Sequence, residues 1–290
     1  MNSRYVGGLY MALAACIWGG MYVVSKIMLT VVQPLELVWL RYVVALVALA
    51  ISVVTTRQSW RVRWRHLPLV AAVGVIGYAV SIWTQFLGTK LSTAQMGAII
   101  TSATPAFMVL FARLLLAEKI TVRRAASVVL ATAGVLMIVG IGGLSPSYKL
   151  GGVILVVAAL TWALMSVLVK RIPRDYSQLT VTLYAIAVAT LCMTPVAVPQ
   201  LMHASLGIWL RPSMWAGLLY IGVVSTAGAF FLWNQGLQLV DASSGGLFFF
   251  FQPLTGTLLG WLILGEAIGW SFWAGAALIV GSVLLVLRDS

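Results

Sequence analysis

Long apolar runs, separated by short polar or charged stretches, recur along the 290 residues of the chain. An α-helix rises about 1.5 Å per residue, so about 20 apolar residues cross a hydrocarbon layer of about 30 Å. The pattern therefore predicts an all-α integral membrane protein with ten transmembrane helices. We place these helices at residues 5–29, 34–55, 68–89, 92–116, 121–140, 150–170, 178–199, 213–238, 241–264 and 269–287.

The composition agrees with a membrane protein, since hydrophobic residues make up 62% of the chain and charged residues 8%. The spans leave no room for a soluble catalytic domain, and neither a HExxH zinc motif nor paired carboxylates within a span is seen. We therefore expect no enzyme activity, no cofactor and no metal site. Cys16 and Cys192 fall inside apolar runs, where a thiol behaves as a small hydrophobic group.

The charge of the chain is +12, with 18 Lys and Arg against 6 Asp and Glu. With the N-terminus inside, 13 basic residues fall on the cytoplasmic side and 4 outside, while Arg41 lies within a span. The positive-inside rule then predicts a multi-pass protein of the inner or plasma membrane with both termini cytoplasmic. The basic loops are expected to meet the anionic cytoplasmic leaflet, and nucleic acid is excluded as a partner.

The two halves of the chain resemble each other. A shift of 144 residues gives eight identities in 20 positions, Trp18 on Trp162 among them, and a shift of 148 aligns Pro105 with Pro253 and Glu118 with Glu266. We therefore predict two repeats, residues 1–142 and 146–290. Each contains five helices, an odd number, so the second repeat is predicted to cross the membrane in the opposite sense.

Several motifs carry a family resemblance: Trp18-Gly19 in the first helix, Pro34 and Arg41 in the second, and the sequence AEKIT from residue 117, which corresponds to GEAIG from residue 265. The chain resembles the drug/metabolite transporter superfamily in its ten-helix form with two EamA-type repeats. The resemblance implies a secondary transporter that works by alternating access and exports small metabolites such as amino acids. The second repeat departs from it, with Gln178 and Ala185 where the first has Pro34 and Arg41.

Arg41 is the one clear ionisable residue inside a span. Burying such a charge is costly and usually requires a partner or a wet cavity. We consider two interpretations: an anchor for a substrate carboxylate, or a structural arginine that pairs with Glu36 or helix carbonyls, or extends outward.

The six acids lie at helix ends or loops, which disfavours a carrier for lipophilic cations. Glu118 and Glu266 are expected to organise the turns that connect helices.

The remaining candidates are uncharged polar and aromatic residues at helical spacing. Gly74, Tyr78, Ser81, Gln85 and Gly88 are spaced to share a face, although bonds between helices could also explain such polar residues. The predicted substrate-binding residues are Trp18, Tyr22, Arg41, Tyr78, Ser81, Gln85, Thr104, Trp162, Asn234 and Gln252.

Two further predictions concern helix shape and function. Pro105 and Pro253 are expected to kink their helices, because proline removes an amide donor. We expect export of a small neutral or zwitterionic metabolite, most plausibly an amino acid. Efflux of lipophilic drugs or cations and a non-transporting membrane scaffold are the alternatives, and the oligomeric state, monomer or homo-oligomer, is left open.

Overall fold

Helices make up nearly all of the computed structural model, which describes residues 3–29, 31–91, 101, 103–139, 149–202, 207, 211–264 and 270–287. Within these ranges there is no strand. The helical segments are α1 (Ser3–Met28), α2 (Pro34–Thr55), α3 (64–91), α4 (Thr104–Leu116), α5 (Val122–Val139), α6 (Lys149–Val169), α7 (Gln178–Met202), α8 (Pro212–Leu239), α9 (242–264) and α10 (Trp270–Leu287). The all-α class predicted from the sequence is confirmed.

Seven stretches of the described residues are long and apolar enough to cross a membrane. They are Arg4–Ser25, Pro34–Thr55, Trp64–Gly88, Leu150–Val169, Gln178–Met202, Pro212–Leu239 and Gly246–Ile263. The chain is therefore a multi-pass membrane protein, while the count of ten spans stays a prediction.

Local sequence explains where α2 and α4 begin and end. Pro34 occupies the first turn of α2, where its missing N–H is not needed, and the Gln33 N–H donates to Glu36 Oε2 at 3.2 Å. Two non-glycine residues have left-handed backbone, Arg57 (φ 52°) just after α2 and Ala117 (φ 55°) directly after α4. Such a residue stops a helix by turning the chain away from its axis.

Two helices contain a π-helical stretch, Val73–Ser81 within α3 and Tyr220–Gly228 within α8. A π-helix closes i→i+5 hydrogen bonds, so it is wider than an α-helix and presents its side chains at different angles. The sequence analysis treated both helices as regular, because an apolar pattern does not distinguish the two helix types. The two stretches lie at matching places in the two halves of the chain.

The π-helix in α3 changes which side chains share a face. Gly74 lies against α7, while the Ser81 hydroxyl donates to the Ala158 carbonyl of α6 at 2.8 Å. Gln85, one turn further on, lines an interior cavity. Ser81 lines the same cavity as Gln85, whereas Gly74 lies against α7, so only part of the polar face predicted for α3 borders the cavity.

The kinks expected at Pro105 and Pro253 stay a prediction, and the structure shows where the two prolines lie in their helices. Pro105 is the second residue of α4. Pro253 is the third residue of the α-helical part of α9, Phe251–Leu264, and follows a 3₁₀ stretch, Gly246–Phe250. First-turn residues need no intrahelical N–H bond, so each proline marks the start of an α-helical stretch.

Glycines let helices of opposite halves approach with their backbones. A Cβ added at Gly74 would overlap the Ala185 carbonyl oxygen of α7, and one added at Gly222 would lie 3.1 Å from the Arg41 carbonyl oxygen of α2. The repeat shifts relate Gly74 to Gly222 and Arg41 to Ala185. The contact of α3 with α7 therefore has an equivalent in the contact of α8 with α2, in which each half takes the other's role.

A second pair of contacts follows the same rule. A Cβ at Gly88 would lie 3.0 Å from the Gly151 oxygen, and a Cβ at Gly236 would lie 2.9 Å from the Gly7 oxygen. Helices α3 and α8 therefore each pack against the first two helices of the other half.

We expect Gly74→Ala to destabilise the protein by about 1 to 3 kcal/mol, because the added Cβ has no space beside a carbonyl oxygen and overpacking costs energy of this order. The effect is measured as the loss of melting temperature of detergent-purified protein. Gly281→Ala is the matched control, since nothing lies within 4 Å of a Cβ added there. Equal melting temperatures for the two variants would contradict the close approach of α3 and α7.

Candidate functional site

An interior cavity lies among the helices of both halves. Its volume, counted out to open solvent, is about 410 Å³, so the cavity is narrow in this conformation. Its walls are Trp18, Met21, Arg41, Ser81, Ile82, Gln85, Thr101, Thr104, Ala158, Ala159, Trp162, Phe230, Phe249 and Gln252.

Most of the residues predicted from the sequence to bind substrate lie in this lining. They are Trp18, Arg41, Ser81, Gln85, Thr104, Trp162 and Gln252. Tyr78 and Asn234 are buried beside the cavity instead, and the side chain of Tyr22 lies outside the described part of the chain.

The sequence reasoning missed the apolar part of the lining. Met21 matches Met165 between the repeats, so its repetition was a usable signal, and Phe249 belongs to a run of four phenylalanines that surrounds its helix. Phe230 comes two residues after the π-helical part of α8, so its orientation could not be read from regular helical spacing.

Arg41 is fully buried and borders the cavity. Its Nη1 contacts the Met21 sulfur at 3.2 Å, while Nε and Nη2 have no hydrogen-bond partner in the part of the chain that the structure describes. The guanidinium carbon also lies 5.7 Å from the ring centre of Phe230 and 5.9 Å from that of Phe86. Aromatic faces stabilise a cation only modestly, so the charge lacks a counter-ion among the described residues.

This geometry excludes two of the structural interpretations of Arg41. The side chain does not extend outward, since none of it is exposed. It does not pair with Glu36 either, since no salt bridge between described residues joins the two side chains; the Glu36 carboxylate accepts the hydrogen bond from Gln33 N–H. The unpaired donors agree with the other interpretation, an anchor for an anionic group.

Two tryptophans at equivalent repeat positions meet at the cavity. The rings of Trp18 and Trp162 are 5.2 Å apart and nearly perpendicular, an edge-to-face arrangement. Trp18 donates to the Ser225 carbonyl at 2.9 Å, at a π-helical turn of α8, whereas the buried Trp162 Nε1 has no hydrogen-bond partner within the described ranges. The cavity thus contains unpaired donors on Trp162 as well as on Arg41.

Tyr78 and Asn234 belong to a buried network next to the cavity. Asn234 Nδ2 donates to the Tyr78 hydroxyl at 2.8 Å and to the Thr182 hydroxyl at 2.9 Å. The Tyr42 hydroxyl donates to the Tyr78 carbonyl at 2.6 Å, and the Tyr78 ring stacks on Phe230 at 4.5 Å. These bonds join α2, α3, α7 and α8, so the network positions helices that carry the lining.

Charged side chains form a second feature, at the ends of α1, α4, α5, α6 and α8. Arg124 Nη2 lies 2.7 Å from Asp241 and its Nη1 lies 3.6 Å from Glu118, while Arg4 lies 3.1 Å from Asp241. Lys170 donates to the Val240 carbonyl. Burial lowers the pKa of Lys170, and the carboxylates of Glu118 and Asp241 oppose that shift.

Glu118 organises a turn, as expected, but in the other half of the chain. Its Oε1 accepts a hydrogen bond from the backbone N–H of Ala242, the first residue of α9, at 3.0 Å. A carboxylate at this position also interacts favourably with the helix dipole. The corresponding Glu266 lies outside the described residues.

A narrow cavity with polar and aromatic walls, enclosed by apolar helices, is typical of membrane proteins that move small solutes. The model of the EamA-like transporter family matches residues 6–140 and again 149–288. The chain belongs to this family, and is a membrane transporter of the drug/metabolite type.

Related proteins agree with this assignment. The chain is 68% identical to a putative permease-like protein of Bacillus subtilis over 71 residues, a match that covers 24% of this chain and 91% of that protein. It is 29% identical to an uncharacterized transporter of Archaeoglobus fulgidus, over 92% of this chain and 91% of the other. A riboflavin transporter of Brucella anthropi is 27% identical over 86% of each chain.

A solved crystal structure has the same fold. The match covers 98% of this chain and 96% of the chain in that structure, with a TM-score of 0.82 and 21% sequence identity.

We expect Asn234→Leu to lower the free energy of unfolding by about 1 to 2 kcal/mol, because two buried hydroxyls lose their partner. Adding Thr182→Val should recover part of the loss, since one of those hydroxyls is then gone. Reversible unfolding in SDS measures both changes. Gln235→Leu, at the neighbouring half-buried residue, is the control, and an equal loss there would argue against the network.

Proposed function

We propose that the chain is a secondary-active transporter that exports a small zwitterionic metabolite, most plausibly an amino acid, by alternating access. The observation that carries this proposal is the fully buried Arg41, which borders the cavity without a counter-ion among the described residues. A buried cation without a partner is costly, and a bound carboxylate would remove that cost.

The chemistry of the lining supports a carboxylate. An arginine can form charge-assisted, often bidentate, hydrogen bonds to the two oxygens of a carboxylate. The unpartnered Trp162 Nε1 adds a third donor, and Gln85 and Gln252 offer amide oxygens that could accept from a substrate ammonium group.

The same lining argues against lipophilic cations. No Asp or Glu occurs among the residues that border the cavity, whereas Arg41 contributes a positive charge there. An organic cation would meet repulsion without compensation in a low-dielectric interior.

Riboflavin is a second candidate, since one relative is a riboflavin transporter and the Trp18–Trp162 pair suits a flat aromatic ring. Riboflavin has no carboxylate, so it would leave the Arg41 donors without an ionic partner.

The proposed architecture is a pair of inverted five-helix repeats, residues 1–142 and 146–290, forming ten spans in the inner membrane with both termini cytoplasmic. Its support comes from the two matches of the family model, the exchanged glycine contacts and the distribution of basic residues. Two such halves can exchange conformations and expose a central site to either side in turn.

We expect Arg41→Gln to weaken binding of the transported amino acid about 10- to 100-fold, the value of one or two hydrogen bonds to a charged group. The measurement is counterflow in proteoliposomes, screened with an amino-acid panel and followed with the best substrate and its amide. Because the amide lacks the carboxylate, Arg41→Gln should bind it almost as tightly as the wild type does.

Arg113→Gln, which removes an exposed arginine of α4, is the control and should transport normally. The melting temperature of Arg41→Gln should not fall, because an unpaired buried charge has been removed. Unchanged affinity in Arg41→Gln would overturn the role of Arg41, and riboflavin counterflow unaffected by the variant would favour the second candidate.

A further inference from the structure

A surface groove lies where the loop between α2 and α3 meets α7. Its volume, counted out to open solvent, is about 1440 Å³. Arg61 and Arg63 of the loop are among its walls. Leu67, Val70 and Leu191 are among its apolar walls, and Leu191 lies 7 positions beyond Tyr184, about 10 Å along α7.

Hydroxyl groups hold the loop in place against the neighbouring chain. The Tyr184 hydroxyl donates to the Trp60 carbonyl and the Thr180 hydroxyl to the Ser59 carbonyl, both at 2.8 Å. The Tyr176 hydroxyl lies 2.7 Å from His66 Nδ1. The groove therefore has a preformed shape, which reduces the entropy lost when a ligand binds.

The loop is strongly basic. Arg57, Arg61, Arg63 and Arg65 fall within nine residues that include no acid, and all four are exposed. None forms a salt bridge with a described residue. Of these four, only Arg61 and Arg63 border the groove, and most of its other described walls are apolar side chains.

We propose that this groove binds one phospholipid with an anionic headgroup. The phosphate lies at Arg61 and Arg63, and an acyl chain follows the apolar walls toward Leu191. Charge complementarity selects the headgroup, because a zwitterionic lipid leaves the arginines without net compensation. The exposed Trp60 and Trp64, 42% and 84% accessible, fit the depth at which tryptophan meets lipid headgroups.

The predicted orientation places this loop on the cytoplasmic side, where the leaflet is anionic. The lipid site does not depend on which solute the protein carries. It is separate from the interior cavity, with which it shares no lining residue.

The test is native mass spectrometry of detergent-purified protein titrated with dioleoylphosphatidylglycerol or dioleoylphosphatidylcholine. Wild type should retain the anionic lipid preferentially. The double variant Arg61→Gln/Arg63→Gln should bind phosphatidylglycerol about 10- to 30-fold more weakly than wild type. Both arginines attract the anionic headgroup, and the variant loses both contributions.

Arg57→Gln/Arg65→Gln is the matched control, with the same loss of charge in the same loop but outside the groove. It should retain most of the affinity. Val188→Trp, which fills the apolar part without changing charge, should weaken binding of both lipids. Equal affinity for the two lipids, equal losses in the two double variants, or full competition by glycerol 3-phosphate would each overturn the proposal.

Discussion

Backbone contact through glycine is the constraint on which the arrangement of this protein depends. Gly222 allows α8 to lie against the Arg41 carbonyl of α2, and Gly74 allows α3 to lie against α7 in the same way. Lipid tails are as apolar as the helix surfaces, so close packing replaces the hydrophobic effect as a source of attraction between helices. These contacts set the positions of α2 and α3, which carry the cavity-lining residues Arg41 and Ser81.

The polar interior adds specificity to that packing. Asn234 joins α8 to Tyr78 of α3 and Thr182 of α7, at a place where water cannot satisfy the three side chains. The network holds Phe230 against Tyr78, and Phe230 in turn faces the Arg41 guanidinium. Aromatic rings therefore contact the Arg41 guanidinium, while its Nε and Nη2, which have no partner among the described residues, can donate hydrogen bonds to a ligand.

Hydrophobic runs and turn residues were enough to predict the helical class and most helix positions, and Arg41, Trp18 and Trp162 were chosen from position and repetition. Two features were beyond that reasoning. The π-helical stretches change side-chain angles without changing apolar spacing. Asn234 was expected in the cavity lining, but an amide in a membrane span is satisfied equally well by a wet cavity or by neighbouring hydroxyls, and only the fold decides between them.

The repeat equivalence of Arg41 and Ala185 has an energetic consequence. Packing that is exchanged between two similar halves would give the inward- and outward-open forms of an alternating carrier nearly equal energies. In such a carrier, one guanidinium without a counterpart would remove that equality, because the buried groups in the two forms would no longer be equivalent. For such a carrier, the empty protein rests preferentially on one side, and its half-saturation constants for the same solute differ between the two faces of the membrane.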